Sequence, residues 1–270
     1  MILFPPAKIN LGLNVLHKRE DNFHEIDSCM IAMPFYDVLE ILPSESFVFE
    51  QTGLTIEGDS SNNLVFRAYE LLQSKFNLSP VHLHLQKHIP MGAGLGGGSS
   101  DATYTLIGLN QFFKLNLTSI ELQELAAQLG SDCPFFATKG PQLASGRGET
   151  LTPIALDLEG LFLKIVNPGL HIGTQEAFTN IELSKNSKAA SELLRQPIES
   201  WKNELKNDFL ESHAASRLKQ HSGIQNATPT GKYYHDGDWM QIWKIKYKNS
   251  SIATWMNGTS KRDTPEFVGP

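Results

Sequence analysis

The amino-acid sequence predicts an α+β fold, and three observations support this prediction. Apolar and polar residues alternate over residues 8–16 and 81–86, with the two-residue period of half-buried strands. Apolar residues recur every three or four positions over residues 64–76 and 119–129, which is typical of amphipathic helices. Five glycines lie within residues 92–98, between a predicted strand and a predicted helix.

The first predicted elements are strands, followed by one helix. In residues 8–16 the alternating apolar side chains are Ile9, Leu11, Leu13 and Val15. Residues 38–42 and 46–50 are two short apolar segments, and the short connection between them predicts a hairpin. The helix predicted at 64–76 has one apolar face, formed by Leu64, Val65, Ala68, Leu71 and Leu72.

Most of the elements predicted after the glycines are helices. A helix is predicted at residues 99–113, directly after the glycines, and another at 119–129, where Leu122, Leu125, Ala126 and Leu129 share one face. The apolar run at 161–166 predicts a buried strand. Residues 188–195 and 198–206 are predicted to form short helices.

Composition and charge narrow the class of protein. The 270 residues carry a formal net charge of −6, which does not favour binding to nucleic acid or to a membrane surface. No apolar run reaches the roughly 18 residues of a membrane-spanning helix, and residues 1–5 are too short for the apolar part of a signal peptide. Cys29 and Cys133 form no disulfide framework, which suits a reducing compartment. We therefore expect a cytoplasmic enzyme with small-molecule ligands; no sequence feature indicates an oligomeric state.

The glycine segment predicts a phosphate site. It reads Pro90-Met91-Gly92-Ala93-Gly94-Leu95-Gly96-Gly97-Gly98-Ser99-Ser100-Asp101-Ala102. A glycine loop before a helix N-terminus presents free backbone N–H groups, and the helix dipole favours an anion there. A simple turn needs one or two glycines, so five of them favour phosphate binding. We expect Asp101 to cap the helix or to lie in its first turn.

Three other phosphate loops fit this segment poorly. No Gly-Lys-Ser or Gly-Lys-Thr closes it, so it is not a Walker A loop. Gly92, Gly94 and Gly97 match the dinucleotide fingerprint, but residues 114–119 lack the acid that the fingerprint places about 20 positions later. The sequence contains neither the Val-Ala-Ile-Lys nor the His-Arg-Asp motif of protein kinases.

Several motifs resemble those of one group of small-molecule kinases. The glycine segment is similar to the P-x-G-x-G-L-G-S/G-S-S motif of the galactokinase, homoserine, mevalonate and phosphomevalonate kinase superfamily. Within it, the chain resembles the 4-diphosphocytidyl-2-C-methyl-D-erythritol kinase family. The similar segments are residues 5–13 and 21–30 (P-A-K-I-N-L and D-G-Y-H-x-L-x-S-V-M), 130–136 (G-A/S-D-V/C-P-F-F), 144–149 (A-x-G-x-G-E), 174–178 (T-x-x-A-F) and 207–209 (N-D-F/L).

The resemblance implies both an activity and an architecture. The implied reaction is ATP-dependent phosphorylation of the 2-hydroxyl of 4-diphosphocytidyl-2-C-methyl-D-erythritol, in the non-mevalonate isoprenoid pathway. The implied fold has an S5-like N-terminal domain at residues 1–152 and the start of a ferredoxin-like C-terminal domain at 153–209. ATP and the cytidyl diphosphate substrate are the implied partners, with Mg²⁺ as cofactor. Composition and spacing alone reach only a soluble phosphate-binding α+β enzyme.

Asp132 and Lys8 are the candidate catalytic residues. Phosphoryl transfer to an alcohol needs a group that takes the hydroxyl proton. Local sequence alone favours Asp132 as a turn-capping residue, whereas the resemblance favours a base. Lys8, in an otherwise apolar strand, is either an edge lysine facing water or a partner of Asp132. The resemblance implies the pair, in which Lys8 also polarises the acceptor hydroxyl.

Ligand-binding residues follow from the same resemblance. The expected ATP contacts are Pro90, Gly92, Gly94, Leu95, Gly96, Gly97, Gly98, Ser99 and Ser100, with the hydroxyl of Ser99 or Ser100 as the one candidate ligand for Mg²⁺. Phe23, His24 and Phe178 are candidates for cytosine recognition, because aromatic faces stack a base and an imidazole bonds its polar edge. Core packing is the alternative for these residues. Asn10 matches a residue near the acceptor, with a turn or strand-end role as the alternative.

The resemblance ends near residue 209. Residues 211–270 contain one Leu, one Val and one Phe, and eight Lys and Arg against five Asp and Glu, which predicts poor strands and little aliphatic core. The superfamily's third motif, a late glycine-rich loop, has no counterpart. Codons for residues 233–241 read one base later permit Thr-Thr-Met-Thr-Gly-Thr-Gly-Cys, which has that motif's form. We therefore expect residues 210–270 to be an aberrant tail produced by a frameshift near residues 209–216.

Three other functions stay open on this sequence. Another acceptor within the same superfamily would give a different small-molecule kinase. Loss of the third motif would give an inactive protein that still binds ligands. A dinucleotide-dependent oxidoreductase is the most distant alternative.

Overall fold

The structure, a computed structural model, describes residues 1–55, 62–158, 188–205, 207–208, 233–236 and 239–242. The strand predicted at 161–166 and the candidate Phe178 lie outside these residues. The division into domains at residues 152 and 209 stays a prediction.

Two four-stranded sheets form the framework. The first sheet has the order β1-β4-β6-β5 and consists of β1 (Ile2–Leu3), β4 (Val38–Pro43), β5 (Val48–Gly53) and β6 (Val81–Lys87). The second is antiparallel throughout, in the order β2-β3-β7-β8, and consists of β2 (Pro6–Lys18), β3 (His24–Tyr36), β7 (Gln142–Ser145) and β8 (Thr150–Pro153).

Helices pack on both sheets. They are α1 (Leu64–Phe76), α2 (Gly97–Phe112), α3 (Ser119–Ala127), a 3₁₀ helix (Cys133–Ala137), α4 (Ala190–Leu193) and α5 (Ile198–Glu204). The first three helices cover the first sheet, where Leu72, Leu83 and Leu106 are fully buried. Helices α4 and α5 cover the second sheet, where Trp201 packs with Ile9. None of the described helices is long and apolar enough to cross a membrane.

Local sequence explains the helix ends. Asn63 caps α1, since its side chain accepts a hydrogen bond from the N–H of Val65, and α1 matches the predicted range of 64–76. Thr118 and Glu121 form a capping box at the start of α3. Helix α2 begins at Gly97, two residues earlier than predicted. The expectation for Asp101 was therefore wrong, because this residue lies beyond the first turn and its side chain is buried.

The predicted hairpin between residues 38–42 and 46–50 was also wrong. Strand β6 lies between β4 and β5, antiparallel to the first and parallel to the second. The two arms thus sit two strand spacings apart, about 10 Å, which the connecting residues 44–47 can span. Strand β6 takes the central position because its side chains Val81, Leu83 and Leu85 are all fully buried.

Strand β3 was not predicted, although its pairing with β2 is the longest among the strands that the structure describes. Its polar residues Asp27 and Ser28 interrupt the apolar pattern. The register shift between Pro6 and Ala7, whose partners on β3 are Tyr36 and Met33, adds unpaired residues to β3 and also breaks its two-residue alternation.

The late segment contains two strands that its composition did not predict. Strands β9 (Tyr233–Asp236) and β10 (Trp239–Ile242) pair as an antiparallel ribbon, with Tyr233 opposite Ile242. Their aromatic and β-branched residues favour extended backbone, which explains why low aliphatic content did not prevent strand formation. A two-stranded ribbon by itself is marginally stable.

Two leucines on neighbouring strands test the position of the hydrophobic core between the first sheet and its helices. Leu83 is fully buried, whereas Leu42 is 37% exposed. Leu83→Ala should lower the free energy of unfolding by about 2–5 kcal/mol, because it leaves a cavity in the packed core. Leu42→Ala makes the same chemical change and should cost below about 1 kcal/mol. Urea unfolding of both variants measures the difference; equal losses would contradict the described packing.

Candidate active site

The glycine loop connects β6 to α2 and leaves the start of α2 open. Gly92, Gly94 and Gly96 have φ angles of 66°, 65° and 67°, in the left-handed region that favours glycine. Gly96 caps α2, and among the described residues no side chain makes a capping hydrogen bond there. The first-turn N–H groups of α2 are therefore positioned for an anion, as the sequence predicts.

Lys8 lies directly against this loop. Its backbone N–H donates to the carbonyl of Leu95 at 2.8 Å, which joins β2 to the loop. A Cβ atom on Gly96 would lie 2.8 Å from Cγ of Lys8 and 3.0 Å from the ring of Phe136. Close approach of the backbone to Lys8 therefore requires glycine at position 96.

Lys8 and Asp132 form an ion pair beside the loop. The Nζ atom of Lys8 lies 3.1 Å from Oδ2 of Asp132, and the two side chains are 2% and 31% exposed. The edge-lysine alternative is thus wrong for Lys8. Asp132 occupies the N-cap of the 3₁₀ helix but makes no side-chain cap hydrogen bond with the described residues, so capping does not explain it either. The structure thus brings together the two groups that the family resemblance implies as a pair.

A short chain of hydrogen bonds orients Lys8. Its Nζ donates to Oδ1 of Asn10 at 2.7 Å, and Nδ2 of Asn10 donates to Oγ of Ser28 at 2.8 Å. The Ser28 hydroxyl in turn donates to the carbonyl of Gly12. Asn10 is buried and holds Lys8 in place, while a contact between Asn10 and a substrate stays a prediction.

Helix α2 also holds the segment that carries Asp132. The hydroxyl of Thr103 donates to the carbonyl of Cys133 at 2.8 Å. Cys133 is fully buried, and desolvation raises the pKa of its thiol to about 11. This thiol is therefore protonated at neutral pH, and it serves as a small packing residue rather than as a nucleophile.

Phe23 lies at the turn between β2 and β3. It is 50% exposed, so core packing does not explain it. The guanidinium carbon of Arg147 lies 4.8 Å from the centre of the Phe23 ring, which is a cation–π contact. Asn22 supports the turn with a φ angle of 66°, and Asp21 accepts a hydrogen bond from the N–H of Phe23. An accessible aromatic face thus stands beside a cation that the sequence did not single out.

His24 follows Phe23 in the sequence and begins β3. Desolvation and the nearby Lys18 lower its pKa, so the imidazole is neutral at pH 7. A neutral imidazole has one donor and one acceptor nitrogen, which suits a polar base edge.

The side-chain oxygens that could bind Mg²⁺ at this site are serine hydroxyls. Among the residues that the structure describes, no three His, Cys, Asp or Glu side chains come together as a metal site. The buried hydroxyl of Ser100 has no hydrogen-bond partner in the described part of the chain. Mg²⁺ usually keeps several waters and binds through phosphates and one or two protein oxygens, so a serine hydroxyl fits this pattern.

Sequence reasoning missed two features of the site, Arg147 and Lys87. Lys87 is fully buried under the glycine loop. The alternation that buries Val81, Leu83 and Leu85 also puts Lys87 on the inner face of β6, and this signal was available in the sequence. Arg147 follows a glycine in a loop, and only the folded structure brings it to Phe23.

Comparison with known proteins agrees with this geometry. Residues 63–140 match the family described as GHMP kinases N terminal domain. The 4-diphosphocytidyl-2-C-methyl-D-erythritol kinase of Cytophaga hutchinsonii is 45% identical over 210 residues, which cover 77% of this chain and 78% of that protein. The chain belongs to the 4-diphosphocytidyl-2-C-methyl-D-erythritol kinase family. The same-named protein of Bacteroides fragilis is 44% identical over 216 residues, covering 78% of this chain and 79% of that protein.

Solved structures confirm the predicted fold. A crystal structure of 4-(cytidine 5'-diphospho)-2C-methyl-D-erythritol kinase has 28% sequence identity and a TM-score of 0.73, over 90% of both chains. A homoserine kinase from Cytophaga hutchinsonii has a TM-score of 0.62 at 14% identity, over 90% of this chain and 84% of that one, and it shows the shared fold alone. The predicted α+β kinase fold and the predicted family are therefore both correct.

The ion pair beside the loop can be tested directly. Asp132→Asn should reduce kcat by a factor on the order of 10² or more, because an amide cannot take the acceptor proton. Lys8→Ala should act in the same direction, and the double variant should lose less than the product of the two single losses. Steady-state kinetics with ATP gives kcat for the two single variants and for the double variant.

Glu124→Gln is the matched control for this series. It makes the same carboxylate-to-amide change on the exposed face of α3, and its kcat should equal that of the parent. Turnover of Asp132→Asn within a few-fold of the parent would exclude Asp132 as the base.

Proposed function

We propose that this chain transfers the γ-phosphoryl group of ATP to the 2-hydroxyl of 4-diphosphocytidyl-2-C-methyl-D-erythritol, in the non-mevalonate isoprenoid pathway. The observation that carries the proposal is the Lys8–Asp132 pair, 3.1 Å apart, against the open N-terminus of α2. An anion site and a proton acceptor lie next to each other there, as phosphoryl transfer to an alcohol requires.

Each part of the site has a chemical role in this proposal. The N–H groups of the glycine loop bind the phosphate oxygens of ATP and orient the γ-phosphoryl group. Asp132 accepts the proton of the attacking hydroxyl. Lys8 stabilises the Asp132 carboxylate and places positive charge where charge develops on the transferred group.

Mg²⁺ enters the proposal as a ligand of the nucleotide. When bound, it neutralises charge on the ATP phosphates. The side chain that we assign to it is the hydroxyl of Ser99 or Ser100, at the start of α2. In this arrangement the protein contributes few ligands and the phosphates contribute the others.

The turn between β2 and β3 supplies the proposed cytosine site. Phe23 offers an exposed ring for stacking, and His24 offers a neutral imidazole for the polar edge of the base. Phe178 belongs to the same proposal. We further propose a cytoplasmic location, which agrees with the free thiols of Cys29 and Cys133.

Consumption of ATP with different acceptors tests the function. The purified chain is incubated with ATP, Mg²⁺ and one of four acceptors: the cytidyl substrate, mevalonate, homoserine or galactose. We expect ADP release with the cytidyl substrate alone, and a new phosphomonoester on its 2-hydroxyl in the phosphorus NMR spectrum. Faster turnover with any other acceptor would replace this substrate assignment.

An inactive ligand-binding form is the second candidate. It is favoured by residues 210–270, which lack the third glycine motif of the superfamily. A version of the gene whose reading frame is restored near residue 210 separates the candidates. If the restored protein turns over the cytidyl substrate and the present chain only binds it, the second candidate is correct. Resequencing of the gene checks the frame itself.

Phe23→Ala tests the proposed cytosine site. The variant should bind the cytidyl substrate more weakly by roughly 1–3 kcal/mol, because it removes a stacking face, while its affinity for ATP stays unchanged. Isothermal titration with each ligand provides both values.

Phe76→Ala controls for the loss of an exposed ring. Phe76 is 40% exposed at the end of α1, and this variant should keep both affinities. A Phe23→Ala variant that unfolds more readily but binds the substrate normally would argue for a packing role.

A further inference from the structure

A buried ionic cluster lies under the glycine loop, and the proposed reaction does not use it. It consists of Asp37, Lys87 and Asp101. The Nζ atom of Lys87 donates to Oδ2 of Asp101 at 2.7 Å and to Oδ2 of Asp37. Lys87 and Asp37 are completely buried, and Asp101 is 1% exposed. Three charged groups are thus removed from water at one point.

The cluster joins the two ends of the loop. At the entrance, Oδ1 of Asp37 accepts hydrogen bonds from the N–H groups of His88 and Ile89, the latter at 2.7 Å. At the exit, Asp101 belongs to α2, just after its first turn. Because Lys87 binds both carboxylates, the residue before the loop and the helix after it are fixed to a common centre.

Lys87 also touches the backbone that would bind phosphate. A Cβ atom on Gly97 would lie 2.8 Å from Nζ of Lys87 and 2.9 Å from Cγ2 of Ile89. Gly97 is the first residue of α2, so the ammonium group lies directly beneath the helix N-terminus. Close approach of Lys87 to the start of α2 therefore requires glycine at position 97.

Stability alone does not account for such a cluster. Buried ion pairs are often no more stabilising than apolar residues of similar volume, because each ion loses its hydration. Burial raises the pKa of the Asp101 carboxyl, and the facing ammonium group of Lys87 opposes this rise.

We propose that Asp37, Lys87 and Asp101 are positioning residues that hold both ends of the glycine loop in register, so that its N–H groups converge on the phosphates of ATP. The inference rests on the proposed function for the identity of the nucleotide. It assigns none of the three residues a contact with the acceptor, and it therefore predicts a loss confined to the nucleotide.

Binding of ATP in the absence of acceptor tests the proposal. Dissociation constants are measured by isothermal titration with Mg²⁺ and ATP for the parent, Lys87→Met and Asp101→Asn, together with thermal unfolding midpoints. Lys87→Met should raise the dissociation constant about tenfold or more, as expected for loss of a charge-assisted anchor. Asp101→Asn keeps the volume and one acceptor oxygen, and it should raise the constant roughly threefold.

Asp208→Asn is the matched control. Asp208 is also buried, and its Oδ2 accepts a hydrogen bond from the N–H of Val15 at 2.7 Å, far along β2 from the loop. The variant should lower the unfolding midpoint as Asp101→Asn does, yet leave the dissociation constant for ATP within about twofold of the parent. A purely structural role for the cluster would give the same result for both variants.

Each outcome decides one question. If Asp101→Asn binds ATP within about twofold of the parent, the positioning role is wrong, and this holds even if Lys87→Met fails to fold. If the cluster variants lose ATP affinity selectively while the parent turns over none of the four acceptors, the inference stands and the proposed function fails. Absence of ATP binding by the parent would overturn both.

Discussion

Close packing of the glycine loop on two buried lysines is the constraint on which the site depends. Gly96 lies on the stem of Lys8 and Gly97 lies on the ammonium group of Lys87, with 2.8 Å from each hypothetical Cβ atom to the lysine. Neighbouring residues of one backbone thus contact cations from different sheets. Lys8 comes from β2 of the second sheet, and Lys87 comes from the end of β6 in the first.

This arrangement makes the loop the junction of the two sheets. Lys8 connects the loop to Asp132, and Lys87 connects it to Asp37 and Asp101. A displacement of either sheet would therefore move the same N–H groups of the loop. The hydrophobic cores supply stability, whereas the polar contacts at the junction fix the relative positions of the chemical groups.

Much of the site was predictable from sequence, because its chemistry is concentrated in continuous segments. The glycine loop is one run of residues, and Lys8 and Asp132 stand within recognisable motifs. The pairing of these two side chains was predicted from resemblance, and the structure brings them together. By contrast, the contact between Arg147 and Phe23 depends on the folding of a remote loop, and no periodic pattern in the sequence predicts it.

The errors in the fold have a physical origin as well. The arms of the predicted hairpin are near in sequence, but β6 pairs with both of them and lies between them, which proximity in sequence does not indicate. Strand β3 escaped prediction because its polar residues Asp27 and Ser28 interrupt the apolar pattern and an irregularity between Met33 and Tyr36 shifts its alternation. Asp101 was expected to cap the helix or to lie in its first turn from local preference, whereas in the folded chain it pairs with the buried Lys87.

The contact between Arg147 and Phe23 has a consequence for the design of inhibitors. A guanidinium already covers one face of the aromatic ring, at 4.8 Å from its centre. A flat cationic compound would meet like charge there and lose part of its stacking energy. A flat ring that carries an acidic substituent would stack on Phe23 and pair with Arg147 at once. Ligand charge, more than ring size, should therefore govern selectivity at this turn.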